Sequence, residues 1–204
     1  VGGALFMLPG SEDPGETMME EAAAEPIMEY GIVVDTLEVV REKVGRNEFL
    51  ADILMRYGVD YSLIDRIARS PHEIFDARKI RAGNEYSLIM TTDTLPKVLY
   101  FVYEKSPTNY VLFDLRDTLA IYQGEKEISR KLARASGTIS SSLWNALVEQ
   151  DADPNLANEL SEIYAWTIDF FGIQKGDNYR VIFEELYVDG QYIGLGKVIA
   201  AEFK

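Results

Sequence analysis

The chain has 204 residues, enough for one large or two small domains, and its 47% hydrophobic content is that of a globular protein. A net charge of −14 repels phosphate backbones and argues against nucleic acid as a partner. There is no cysteine, which excludes disulfides and thiolate chemistry.

Residues 1–30 hold Glu12, Asp13, Glu16, Glu20, Glu21, Glu25 and Glu29 with no Lys or Arg, so half of the excess charge lies in this stretch. It opens on VGGALFML, an eight-residue apolar run, far short of the roughly 20 residues that span a bilayer. The run reads either as the trailing end of a membrane anchor or signal segment or as an ordinary apolar terminus. From Pro9 to Tyr30 a flexible acidic linker follows, with a transient helical turn at Met18–Ala24. The start at Val1 and the end at Lys204, directly after a strand-like run, make both ends read as cut.

Structure is expected from near Thr36, with a strand over Leu37–Val44 that stops at Gly45. Asn47 stands where a helix N-cap belongs, and Leu50, Ile53, Leu54 and Tyr57 fall at helical spacing up to Gly58. Asp60 caps a second helix with Leu63, Ile64 and Ile67 on its apolar face, ended by Ser70-Pro71. The turn at 80–84 leads into a strand over Tyr86–Met90. Residues 96–135 change character: KVLYFVYEKS and NYVLFDLRDTLAIY are β-branched and aromatic around Pro107-Thr108-Asn109, a hairpin signal. Lys126–Ala135 is compatible with a third strand or a short helix.

Ser140–Ser142 then cap a helix carrying Leu143, Trp144 and Leu147, and Asp153-Pro154 starts another, with Pro at its first position. Its stripe is Leu156, Leu160, Ile163 and Phe170, extended by Ala157, Trp166 and Thr167, and Gly172 ends it. YRVIFEELYV and QYIGLGKVIAAEF flank Asp189-Gly190, the signature of a type I′ hairpin.

The two halves repeat one another. Leu50 and Leu143, Leu54 and Leu147, Asp60 and Asp153, Leu63 and Leu156, Ile67 and Leu160, Ile80 and Ile173, Gly83 and Gly176, and Tyr86 and Tyr179 all stand 93 positions apart. Such a register predicts two divergent copies of one helix-helix-strand unit, each preceded by a strand; the alternative is two unrelated units of like architecture.

Catalytic constellations are missing. The lone histidine, His72, reads as a helix-end surface residue, and with neither H-E-x-x-H nor a Cys cluster no usual zinc centre can be built. A Ser-His-Asp triad would have to recruit His72, without G-x-S-x-G. GLGK at 194–197 lies in a strand rather than before a helix, so its glycines fit a bulge or close packing better than a phosphate loop. Glu159, Glu162 and Asp169 read as the wet side of a helix. Tyr57, Tyr61 and Tyr86, beside predicted turns, are candidate sugar-stacking faces.

Residues 48–53 (EFLADI), 56–59 (RYGV) and 80–86 (IRAGNEY) resemble a LysM module, without its usual Gly-Asp before the first helix or its Pro after the last strand. Residues 136–144 (SGTISSSLW), 156–170, 175–184 (KGDNYRVIFE) and 187–203 strongly resemble the non-catalytic N-terminal region of bacterial lysostaphin/LytM-type zinc metallo-endopeptidases of the cell wall, with its opacity-associated-protein-A-like and second N-terminal domains. The resemblance implies an α+β fold of two LysM-like helix-helix-strand units with antiparallel hairpins: a tail over 1–30, a first domain over 31–135 and a second over 136–204. It further implies no catalytic or metal site in this chain, zinc in the catalytic domain of the parent, and peptidoglycan and that catalytic domain as partners. A role in targeting and autoinhibition and a place on the periplasmic side of the envelope, anchored at the inner membrane, follow from it, with a free-standing peptidoglycan-binding module as the alternative. Glycan contacts are expected at Asn47, Tyr57, Tyr61, Gly83, Asn84 and Tyr86.

Overall fold

The computed structural model describes residues 25–71, 74–165 and 175–204. Expectations for the apolar start, the linker up to Ala24, His72, and the helix stretch holding Trp166, Thr167, Asp169, Phe170, Gly172 and Ile173 therefore lie outside the described residues.

Order begins earlier than the composition suggests. Strands β1 (Met28–Glu29) and β2 (Ile32–Val33) form a small hairpin. Its turn residues Tyr30 and Gly31 sit at φ +52° and +80°, as a tight right-twisting turn requires. Strand β3 (Leu37–Lys43) follows, then helices α1 (Leu50–Arg56) and α2 (Tyr61–Ala68), a single 3₁₀ turn at Ala77–Lys79, and strand β4 (Glu85–Thr91). Strands β5 (Val98–Glu104), β6 (Asn109–Asp114) and β7 (Ala120–Glu125) extend the sheet as hairpins, giving an antiparallel order β3-β4-β5-β6-β7.

The central strands of this sheet are buried on both faces. Helices α1 and α2 lay Leu50, Ile53, Leu54, Ile64 and Ile67 on Leu88, Phe101 and Phe113. On the opposite face Ile89, Val102 and Leu112 are closed over by Val34, with Tyr30 and Ile32 of the first hairpin packed beside them. Alternate residues of one strand thus feed two cores.

The second unit is strand β8 (Ser129–Thr138), helices α3 (Leu143–Val148) and α4 (Leu156–Ile163), and the hairpin β9 (Asn178–Val188) and β10 (Gln191–Phe203), in sheet order β10-β9-β8. Its core joins Leu143, Leu147, Leu156 and Leu160 to Tyr179, Val181 and Phe183. All pairing in both sheets is antiparallel, and helices stand apart from strands in the chain, an α+β arrangement.

The repeat holds at the level of single hydrogen bonds. Val59 N–H meets Leu54 O at 3.0 Å, and Ala152 N–H meets Leu147 O at 3.1 Å. Between them Gly58 and Asp151 both take positive φ, +73° and +53°, and end their helices in the same way. Asp60 accepts from Ser62 N–H at 2.7 Å, and Asp153 from Asn155 N–H at 2.9 Å. Gly83 and Gly176 both have positive φ, and Tyr86 and Tyr179 are both buried.

Several sequence expectations need correction. Asn47 is not a helix cap: it sits at φ +58° in the loop, and α1 starts later, with Phe49 at the cap and Asp52 accepting its N–H at 2.9 Å. Asn tolerates the left-handed region, so the residue that looks like a cap is used as a turn. Pro154 lies ahead of α4 instead of at its first position, and Ile163 is 53% exposed instead of on the apolar stripe. Lys126–Ala135 resolves as a linker followed by strand. Since β8 pairs with β9 from Ser129 onward, a division at 135/136 would cut through it, and the sheets divide at 126–128 instead. Its periodicity is faint because only one face meets helices and the inward residues are the small Ala133 and Ala135. The Asp189-Gly190 turn has both residues at positive φ, +50° and +77°, as a type I′ turn demands. The register shifts between Tyr192 and Gly194, and a Cβ on Gly196 would come within 2.8 Å of Glu184 Cβ. The GLGK glycines are therefore bulge and contact residues.

Candidate functional site

Six residues were singled out by sequence, and the fold divides them between two ends of one sheet. Pairing of Lys43 with Glu85 puts Gly83 and Asn84 at one end of β3 and β4; pairing of Leu37 with Thr91 puts the β4–β5 turn at the other. Seven-residue strands separate those ends by about 20 Å.

At the first end Asn84 is a hub. Its Nδ2 donates to Tyr103 Oη at 3.1 Å, to Glu104 O at 2.8 Å and to Lys105 O at 3.2 Å. The Tyr103 hydroxyl accepts a second bond, from Arg81 N–H at 3.0 Å. Val44 N–H bonds Asn84 O and Gly83 N–H bonds Val44 O, which ties the β3–α1 loop to the same turn. Gly83 takes φ +90°, a conformation that L side chains adopt only under strain. Asn47, three residues beyond Val44, is exposed and makes no part of this hub.

A cleft of about 240 Å³ opens beside it, lined by Gly83, Asn84, Glu104, Lys126, Asp189 and Ile193 among others, so both units contribute to its walls. Lys126 Nζ bonds Glu104 Oε1 at 2.7 Å and Asp189 Oδ2 at 2.9 Å. Glu104 also accepts Tyr30 Oη–H at 2.7 Å. Burial, then the Glu104 carboxylate, pushes the Tyr30 phenol up to about 12. Burial alone would lower Lys126, but its bonds to Glu104 and Asp189 outweigh that and hold it above its ordinary value. Sequence reading missed this network. The only trace was a lysine directly after the last strand of one sheet and an aspartate in a hairpin turn, neither of which advertises a partner.

Tyr57 bridges the two ends: its hydroxyl bonds Glu42, opposite Tyr86, while it also lines a groove of about 410 Å³ toward the far end with Leu63, Arg66, Lys97, Leu115 and Arg116. Tyr61 is 72% exposed beside it in sequence, so its ring is available to a ligand. Tyr86 is not: it is fully buried, packed on Phe101, with its hydroxyl donating to Glu42. A buried ring offers no face to a sugar, so Tyr86 is a core residue and not the stacking face that the sequence suggests. The alternation that puts Tyr86 inward was present in the strand, but which face the helices would cover was not.

Among the described residues no three His, Cys, Asp or Glu side chains are grouped so as to hold a metal ion. The described residues therefore do not fit a catalytic zinc, which needs about three protein ligands. No described helix is long and apolar enough to cross a membrane.

No family model matches the chain. It is 26% identical over 233 residues to the peptidoglycan DD-endopeptidase ShyC of Vibrio cholerae, covering 98% of this chain and 50% of that protein. It is 26% identical over 179 residues to the DD-carboxypeptidase/endopeptidase Mpg of Neisseria meningitidis, covering 87% of this chain and 42% of that protein. Among solved structures, a zinc-containing peptidase from Vibrio cholerae superposes with a TM-score of 0.55 at 18% identity, over 81% of this chain and 51% of that one. Helicobacter pylori Csd3 does so with a TM-score of 0.55 at 16% identity, over 80% and 45%. The structural likeness is one of fold, and the chain spans about half the length of the curated relatives it matches.

Proposed function

We propose that this chain is the non-catalytic targeting and autoinhibitory region of a peptidoglycan metallo-endopeptidase of the lysostaphin/LytM type, built from two LysM-like units and held on the periplasmic side of a bacterial envelope by an inner-membrane anchor. The observation that carries this reading is the pattern of coverage: nearly all of this chain, but half of ShyC, enters their alignment. The zinc ligands of such a parent belong to its catalytic half, and a zinc-containing peptidase is among the chain's structural neighbours. The two units then act as surfaces. Their binding to the catalytic face keeps that site closed, and substrate or a partner competes for the same surface.

The test is hydrolysis of purified sacculi by the parent's catalytic domain with this chain added in trans. Slowing is expected, and an unchanged rate at saturating chain removes the autoinhibitory role. Retention of the chain on sacculi tests targeting separately.

A second reading, a free-standing peptidoglycan-binding module, draws on the exposed Tyr61 ring next to the Tyr57 groove. It requires sacculus binding that Tyr57→Ala weakens.

A further inference from the structure

On the other side of the Asn84 hub lies a pocket of about 310 Å³ lined by Ile74, Phe75, Asp76, Lys79, Arg81, Tyr103 and Lys105. In a chain of net charge −14 it gathers three cations, and the side chains of Lys79, Arg81 and Lys105 have neither ion pair nor hydrogen bond among the described residues. Among the described lining residues the one acid is Asp76, and the Arg78 guanidinium engages it at 2.9 and 3.0 Å. Like charges gathered around one concavity repel each other, and an anion between them relieves that repulsion.

A second feature points the same way. Tyr103 is 2% exposed, and its hydroxyl oxygen accepts from both Arg81 N–H and Asn84 Nδ2. Its own O–H hydrogen has no acceptor among the described residues. Because Tyr103 lines the pocket, that O–H is left for solvent or a ligand in the pocket to accept. The same hydroxyl fixes the backbone of Arg81, while Asn84 holds Lys105 O, so two of the three cations ride on backbone that is already pinned. Little order remains to be imposed on binding.

We infer that this pocket binds a short peptide bearing two carboxylates. The cations and the phenol O–H take the carboxylates, and the apolar wall of Ile74 and Phe75 takes a small side chain between them, for which a bare inorganic anion has no use. The volume suits a ligand of two or three residues, at the small end of known pockets. The source of such a peptide in the cell rests on the murein reading above; the chemistry of the pocket does not.

The probes are synthetic alanyl-glutamyl-alanine, its bis-amide and inorganic phosphate, titrated into the whole chain by calorimetry and by amide shifts in NMR spectra. The diacid is expected to bind and to shift the amides of 79–84 and 103–105. Loss of charge-assisted bonds should weaken the bis-amide about tenfold or more. Lys79→Gln and Lys105→Gln, both at exposed sites, should each weaken the diacid several-fold without changing Tm. Equal binding of diacid and bis-amide, or indifference to both substitutions, overturns the inference. Phosphate binding as tightly as the diacid overturns the assignment to a peptide. Sacculus retention of the same variants keeps the two readings apart. A chain that binds the diacid but not sacculi keeps the pocket and loses the targeting role. Sacculus binding that survives both substitutions, with no diacid binding, does the reverse.

Discussion

Lys126 Nζ reaches Asp189 Oδ2 at 2.9 Å, joining the end of the five-stranded sheet to the hairpin turn of the three-stranded one. The bond is one arm of a bridge whose other arm is Glu104, at 2.7 Å. The two arms are unequal, because solvent reaches 70% of the Asp189 side chain but only 10% of Glu104. Lys126→Met leaves Glu104 a largely buried carboxylate with Tyr30 as its remaining side-chain donor. That should cost about 2 kcal/mol in urea denaturation. Asp189→Asn breaks only the exposed arm and should cost below about 1 kcal/mol. Small-angle scattering should show the Lys126→Met chain expanded relative to the parent, since the bridge spans the junction.

Leu54 and Leu147 occupy the same place in the two copies, and each is completely buried, but in separate cores. Truncating either to Ala should cost about 3 kcal/mol through lost burial and the cavity left behind. Because the two sites share no neighbours, the double variant should lose the sum of the single effects to within about 0.5 kcal/mol. A coupling much larger than that in chemical denaturation would mean the two cores do not act independently.

The repeat was legible because what it depends on is local: leucines at helical spacing, an aspartate that caps its own i+2 amide, glycine at positive φ. Asp189-Gly190 was legible for the same reason. What could not be read was decided by distant parts of the chain. Tyr86 looks like any aromatic beside a turn until α1 and α2 close over its face of the sheet. β8 hides its strand character because alanines suffice where the helices approach. The first hairpin, with its exposed Met28 and Val33, carries the composition of a linker and is ordered by the sheet face that Tyr30 and Ile32 help to cover. Asn84 was expected at a ligand, yet its amide is spent on Tyr103, Glu104 and Lys105, and nothing in the spacing of Lys79, Arg81 and Lys105 shows that the fold gathers them around one pocket.

The Tyr86 hydroxyl bond to Glu42, aided by Tyr57 and the Arg56 guanidinium, holds that carboxyl below its ordinary value. A carboxyl depressed in the folded state stabilises the fold above its unfolded pKa, about 4.3, and that contribution disappears as pH falls through the folded value. Solvent reaches 39% of the Glu42 side chain, so the effect is screened. Tyr86→Phe should therefore cost about 1 kcal/mol at neutral pH. The gap between parent and variant should stay flat from pH 8 down to about 5 and close below about 4. A gap that widened on acidification would assign the loss to packing instead of the hydrogen bond.

Gly124 faces Tyr110 across β6 and β7, and a Cβ there would overlap the tyrosine ring. That ring meets Tyr30 edge-on at 5.0 Å, and Tyr30 in turn holds Glu104 in the bridge. Gly124→Ala cannot be absorbed by moving a flexible chain end, because the atoms in the way belong to a ring packed on a second ring. Its expected cost is about 1–3 kcal/mol, the range for overpacking. Gly31→Ala provides the contrast. Nothing lies within 4 Å of its Cβ position, so only the strain of φ +80° remains, about 1 kcal/mol. If the clash is the cause, Tyr110→Ala should cost less in the Gly124→Ala background than in the parent, since the ring has already been displaced there. Additive losses in that cycle would show that the ring and the glycine do not compete for the same space.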